Sequence, residues 1–396
     1  MNEEQLSLFN EDSQNQESLD DLSLKLEQLQ SAVLWGTDWT AETIVSQIEK
    51  GKIDLNPKFQ RREAWDDKRK STFIESLICG FPIPQIILAE GKTKNDPYIV
   101  IDGKQRLISL RRFFAKNDDN TFKPLRLKGL SVLKNLNNNT YDEIKNDPQI
   151  CDLVCQVENQ PIRTIIIRNW PNEEFLYTVF LRLNTGSLPL STQELRQALH
   201  PGEFLNFCDE YSSQDQYLRN ILRISKADYR MRDIELMVRF FSFKYFINDY
   251  KGNLKLFLDE SVNKLNQQWP DHIAEFEHAA DSMDKGIDAV NQIFGDNGFR
   301  KYKVHSFDTR FNRAVFDIMV YYFSEEQIRE VALQKKDQIL DGFKQLSNQD
   351  ILFVTSFETS TKNIDQTSYR FRKWGEKLKE ILEIDITLPN ITNGAQ

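Results

Sequence analysis

In the run Tyr98-Ile-Val-Ile-Asp102-Gly103-Lys104-Gln105-Arg106-Leu-Ile-Ser-Leu-Arg-Arg-Phe-Phe114 the apolar period changes midway. A short apolar block, of the kind that forms a buried strand, runs into Asp102-Gly103. From Leu107 the apolar residues return at helical spacing, with Leu107, Leu110, Phe113 and Phe114 on one face. The expectation is strand, tight turn, helix. Glycine at such a turn lets a ligand approach the backbone closely. The unpaired N–H groups of the first helical turn favour an anion. Lys104 and Arg106 add positive charge there, and Asp102 offers a carboxylate to a divalent cation or a hydroxyl. These are the parts of a phosphate site. An ordinary turn with surface charges has the same parts, so the residues alone leave both readings open.

Working outward, Asp66-Asp67 caps a helix with Phe73, Ile74, Leu77 and Ile78 on one face and Gly80 as its stop. Strands are expected at Gln85–Ala89, Tyr98–Ile101 and Thr164–Arg168, and a helix over Glu173–Leu183. Ser191 and Glu194 then form a capping box for the next helix. Ten of the twelve prolines lie at or before Pro201, with only Pro270 and Pro389 beyond. Proline interrupts helices, so the first half should mix α and β and the second should be mostly helical. Helical period recurs around Ile234–Ile247, Ile287–Phe294, Phe311–Phe323 and Trp374–Ile384. The fold class expected is α+β: a small mixed β-sheet followed by a mostly α-helical region.

The chain has 396 residues and a net charge of −9. Residues 1–30 hold eight acids against Lys25, so the remainder is close to neutral. Any nucleic-acid contact must then come from local patches. No apolar run approaches the roughly 18–20 residues a bilayer needs, no signal peptide opens the chain, and four cysteines are too few for a disulfide scaffold. A cytoplasmic protein is expected. Residues 1–17 are polar and acidic and read as disordered. Leu19, Leu22, Leu26, Leu29 and Val33 follow at 3,4,3,4 spacing, one stripe of a short amphipathic helix that could mediate self-association into a homo-oligomer. The expected division is therefore 1–37, an acidic tail with that helix; 38–201, the sheet-containing domain; and 202–396, a helical domain.

Two further segments carry candidate chemistry. Asn56-Pro-Lys-Phe-Gln60-Arg61-Arg62-Glu-Ala-Trp65 places adjacent arginines before a tryptophan, which suits phosphate or carboxylate binding and stacking. Phe180-Leu-Arg182-Leu-Asn184-Thr-Gly186 leads a polar loop between two helices, flanked by Arg182 and Arg196. The histidines, His200, His272, His278 and His305, show no metal-ligand spacing. Neither a Walker-type phosphate loop nor a nucleophilic serine motif is present.

In this order Asn56–Trp65, Ile101–Leu107 and Phe180–Gly186 resemble the GmrSD-type restriction endonuclease N-terminal domain family, with its Pro-x-Tyr-Gln-Arg, Ile-Asp-Gly-Gln-Gln-Arg-Leu and Phe-x-Arg-Ile-Asn motifs. Arg230–Phe241 and Phe311–Phe316 look like the family's helical part, so the resemblance spans about residues 38–325. It implies a core like the ParB/sulfiredoxin fold and a role in prokaryotic anti-phage defence, with nucleoside triphosphate (NTP) binding and magnesium-dependent hydrolysis at the Asp-Gly-Gln-Gln-Arg turn. Carried over by position, this nominates Asp102, Gln105 and Arg106 as catalytic and Asp102 as the metal ligand. Gln60, Arg61, Gly103, Lys104, Arg182 and Asn184 would bind nucleotide. Lys104 stands where the family has glutamine, which keeps phosphate attraction but removes an amide. Residues 330–396 lack the His-dependent nuclease domain many relatives append, so a separate nuclease subunit is an expected partner. Gln5-Leu6-Ser7-Leu8-Phe9 is similar to the peptide that docks into the bacterial sliding clamp. The leading expectation is an NTP-binding defence protein that engages DNA, with hydrolysis left open. The alternative is a non-catalytic DNA-binding sensor or interaction module. For the sensor, Arg111, Arg112, Lys123, Arg126, Lys128, Arg370, Arg372 and Lys373 are candidate DNA contacts.

Overall fold

In a computed structural model of the protein, residues 32–55, 64–93, 95–183, 191–358 and 362–391 are described. They fall into two compact units that divide between Leu199 and His200. The first is built on β1 (Val33–Thr40), α1 (Ala41–Glu49), α2 (Asp67–Ile78), β2 (Ile86–Ala89), β3 (Ile99–Asp102) and α3 (Lys104–Phe113). It continues through α4 (Tyr141–Lys145), α5 (Asp152–Asn159), β4 (Pro161–Arg168), α6 (Glu173–Leu183) and α7 (Thr192–Leu199). The strands form one sheet in the order β1-β4-β2-β3. β2 runs parallel to β4, and the outer pairs are antiparallel, so the sheet is mixed.

Because strand side chains alternate, the two sheet faces build separate cores. Ile86, Leu88, Val100 and Ile162 pack with Ile44 and Val45 of α1, Ile74 and Leu77 of α2, and Leu107 and Leu110 of α3. Ile87, Ala89, Ile101 and Ile167 pack on the other side with Phe175, Leu176 and Phe180 of α6 and Leu195 and Leu199 of α7. The expected strands, the helix over 173–183 and the Ser191–Glu194 capping box are all observed. Ser191 N–H donates to Glu194 Oε2 at 2.6 Å, and Glu194 N–H donates to Ser191 Oγ at 3.1 Å. Asp66 caps α2 through the Arg69 N–H at 2.8 Å.

One expectation fails here. Val33 does not end a helical stripe; it opens β1, whose register with β4 runs unbroken from Val33↔Arg168 to Thr40↔Pro161. Cross-strand pairing overrides the local helical spacing. The other stripe residues, Leu19 to Leu29, and the peptide Gln5-Leu6-Ser7-Leu8-Phe9 lie outside the described residues.

The second unit is helical: α8 (Glu203–Gln214), α9 (Gln216–Leu222), α10 (Arg232–Phe246), α11 (Leu254–Phe294), α12 (Arg313–Phe323), α13 (Glu326–Gln334), α14 (Lys336–Gln349), α15 (Ile351–Thr355) and α16 (Ile364–Leu382). A hairpin, β5 (Tyr302–Lys303) and β6 (Ser306–Phe307), precedes α12. Pro270 does not end α11; it kinks it, and His272 two residues on takes φ −126° and ψ 20°. Proline removes one ladder hydrogen bond and bends the helix, and packing on both sides carries the chain through. At the centre of this unit Arg239 of α10 and Asp317 of α12 form a fully buried bidentate pair, at 2.9 and 2.5 Å. The architecture is thus α+β, a small mixed sheet followed by a mostly helical region. Among the described residues no helix is long and apolar enough to cross a membrane.

Candidate functional site

Asp102 is the last residue of β3 and Lys104 the first of α3, so a single residue, Gly103, makes the turn. Its φ is +99°, in the left-handed region. A Cβ there would also sit 3.2 Å from both Arg106 Nη2 and Ile86 Cγ1. Backbone conformation and close approach therefore both require glycine. The carbonyl of Gly103 accepts the first helical hydrogen bond, from Leu107 N–H at 3.0 Å. As the N-cap residue, Gly103 has no side chain to cap this helix start, and the first turn holds no acid. The positive end of the helix dipole meets no capping carboxylate of its own helix.

Arg106 folds back over the turn and is 7% exposed. Its Nη2 donates to Asp102 Oδ2 at 2.6 Å. The pair spans one helical turn, the i,i+4 separation at which side chains meet. It neutralises the Asp102 carboxylate, which would otherwise repel an anion at the helix start. Gln105 does something the sequence did not announce: its Oε1 accepts the backbone N–H of Trp65 at 3.2 Å. One lone pair of the amide oxygen is committed to that N–H, and the NH2 end remains a donor. Gln105 thereby ties the turn to the residue that closes the Asn56–Trp65 stretch. Trp65 is held further by an edge-on contact with Phe73 and by the Arg69 guanidinium over its ring, 4.9 Å from the centroid. Its carbonyl accepts from the buried Lys70.

Of the other nominated residues, Lys104 lies in the first turn of α3, and Arg182 is exposed in the last turn of α6. Gln60, Arg61 and Asn184 lie outside the described residues. The turn presents one carboxylate to a metal, and no cluster of three or more His, Cys, Asp or Glu with metal-binding geometry occurs among the described residues. Magnesium held here would take Asp102 plus oxygens from phosphates and water.

Several basic residues offered as DNA contacts are instead structural. Arg111 is buried and paired with Asp119. Arg112, also buried, reaches Asp67 at 2.9 Å and the Lys123 carbonyl at 3.0 Å. Burial pushes Asp67 up, but Lys128 and Arg112 outweigh it and hold the carboxyl below its usual range. Arg370 is fully buried. Arg126 pairs with Glu143 at 2.9 Å, and Arg372 and Lys373 share Glu376. The partners of Arg111, Arg112 and Arg126 lie outside their own elements and that of Arg372 and Lys373 lies one helical turn on, which a run of positive charge does not show.

The helix expected after Ser191, α7, also carries a buried polar face that the sequence analysis did not identify. Gln193, Arg196 and Gln197 share one face of it and are buried. Arg196 Nη1 donates to Gln193 Oε1 at 2.8 Å. Gln193 Nε2 and both amide atoms of Gln197 have no hydrogen-bond partner among the described residues. The i,i+4 spacing of two glutamines was the available signal, and amides on a helix ordinarily face water.

Residues 41–201, which include every element around this turn, match the family model of the GmrSD restriction endonuclease N-terminal domain. No curated protein and no solved structure matches the chain. Residues 41–201 are thus a domain of the GmrSD restriction endonuclease N-terminal type.

Proposed function

We propose that this is a restriction-related defence protein whose Asp102–Arg106 turn binds the phosphates of a nucleoside triphosphate and couples that binding to DNA engagement. The observation behind the reading is the glycine-made start of α3. It has no side-chain cap and no acid in its first turn, Lys104 stands beside it, and its one neighbouring carboxylate is already neutralised by Arg106. The N–H groups of a helix start, the helix dipole and a lysine all favour an anion at that point. Magnesium would neutralise phosphate charge. Asp102 would hold it, and Gln105 would donate to phosphate while positioning Trp65.

The geometry favours binding over hydrolysis. Gln105 is an amide, far too weak a base to take a proton from water, and its oxygen already accepts from Trp65. Asp102 is engaged with Arg106. The test is a screen of the four nucleoside triphosphates with magnesium, with and without duplex DNA, comparing the parent with Asp102→Ala. Binding by the parent that weakens in the variant supports the reading. Binding that is absent in the parent, or unchanged in the variant, refutes it.

A further inference from the structure

The segment Arg300-Lys301-Tyr-Lys303-Val304-His305-Ser-Phe-Asp308-Thr-Arg310 carries four basic residues and one acid in a chain of net charge −9. It folds as the β5–β6 hairpin, paired Tyr302↔Phe307 and Lys303↔Ser306. The Tyr302 and Phe307 rings meet edge-on, 4.9 Å between centroids, and brace its base. The two-residue tip is Val304-His305, with φ of +49° and +64°. Such a tip normally uses Asn-Gly or Asp-Gly, because both residues are left-handed. A β-branched residue is strained there. Val304 is 79% exposed, so packing does not offset that strain. An exposed residue that strains its backbone without packing in return points to a function outside the fold.

The charges around the tip are not all spent. Glu358 accepts from Lys303 at 2.8 Å and faces Lys301 at 3.5 Å, and Asp308 lies 3.7 Å from Lys301. Arg223, Arg300 and Arg310 form no ion pair among the described residues. Burial, and then the nearby Arg223 guanidinium, holds Arg300 below the usual arginine range, against a smaller pull from Asp296 and Asp308. Two neighbouring guanidiniums, neither of them ion-paired, form an arrangement that a phosphate stabilises.

We propose that the β5–β6 hairpin is a duplex-DNA contact: Arg223, Arg300 and Arg310 take backbone phosphates while Val304 enters the groove as an apolar tip. This rests on the DNA engagement proposed above and gives it a place in the helical unit. Phosphates account for the unpaired arginines. Insertion between base steps is a recurrent use of an exposed aliphatic side chain beside basic ones. An acidic protein surface would use the charges but has no need of the strained valine.

The test is fluorescence anisotropy of the full chain with a labelled duplex from low to moderate salt. The parent should bind with an affinity that falls as salt rises. Arg300→Gln with Arg310→Gln should weaken binding and flatten the logarithmic salt slope by about one for each phosphate no longer held. Val304→Gly should raise the melting temperature by relieving strain and yet lower DNA affinity several-fold, whereas a merely structural tip would give only the first. Should the parent bind no duplex at all, the DNA reading itself fails and this proposal with it. Parent-like affinity and salt slope in the arginine variant would overturn the hairpin assignment while leaving DNA engagement standing. Parent-like affinity in Val304→Gly alone would overturn the inserted tip.

Discussion

Two of the arginine–aspartate pairs, of similar length, sit in opposite settings. Arg106 and Asp102 meet across one turn of chain at a helix start, with the aspartate side chain 30% exposed. Arg239 and Asp317 meet from helices α10 and α12, with essentially no exposure, and Arg370 lies buried in the same neighbourhood. The first pair balances charge at a place a ligand can reach. The second pair locks a core. Its worth lies in the damage done when it is broken, since an uncompensated buried charge costs far more than an intact pair contributes.

The contrast between the pairs is greatest at Asp317. Asp317→Ala removes the bidentate partner of Arg239, and it also removes the carboxylate that offsets the burial of Arg370, whose ionisation burial pulls down to about 10. It should destabilise the protein by about 3–5 kcal/mol in chemical denaturation. Asp102→Ala, where water reaches the aspartate, should cost less in the same measurement. Equal losses would mean that the two pairs do the same job.

Gly103→Ala comes next. A left-handed alanine costs roughly 1–2 kcal/mol, and its Cβ would press on the Arg106 guanidinium and Ile86. Denaturation midpoints should fall accordingly, and phosphate binding should fall further than stability alone explains.

A smaller effect is expected at Asp284. Burial first, then Asp215 and Asp281, raise its carboxyl to about 7, against hydrogen bonding from Tyr211 at 2.6 Å. A folded-state value above the unfolded one, near 3.8, means the folded chain holds the extra proton between those limits. Stability from this group is therefore complete below about pH 4 and lost as pH rises through 7. Asp284→Asn should stabilise the protein at pH 8 by on the order of 1 kcal/mol and flatten that slope in a pH series of melting temperatures.

Gln197→Leu is the mildest test. Both polar atoms of the side chain are buried without partners, so an apolar residue of similar length should raise the melting temperature by about 2–4 °C. A fall instead would show that the amide is satisfied.

What the sequence revealed follows the same divide between local and distant. The Asp66 and Ser191 caps, the α6 span and the glycine turn were legible because each is set by neighbours within a few residues. β1 was not, because Val33 to Thr40 take their form from β4, far along the chain. Arg111, Arg112 and Arg370 read as surface charges because Asp119 and Asp67 in the first unit, and Asp317 in the second, reach them only after folding. At the candidate turn, the glycine and its charges could be seen in advance, and the Arg106–Asp102 spacing was available. The tie from Gln105 to Trp65 was not, since a side chain bonding to distant backbone leaves no periodic trace.

Whether the start of α3 holds phosphate can be decided by isothermal titration of magnesium with each nucleoside triphosphate, and with inorganic tripolyphosphate, into the parent and Lys104→Glu. The parent should bind at least one triphosphate, and the charge reversal should weaken that binding by about tenfold or more at unchanged melting temperature. Equal binding by the two proteins, or none by the parent, would show that the turn is not a phosphate site.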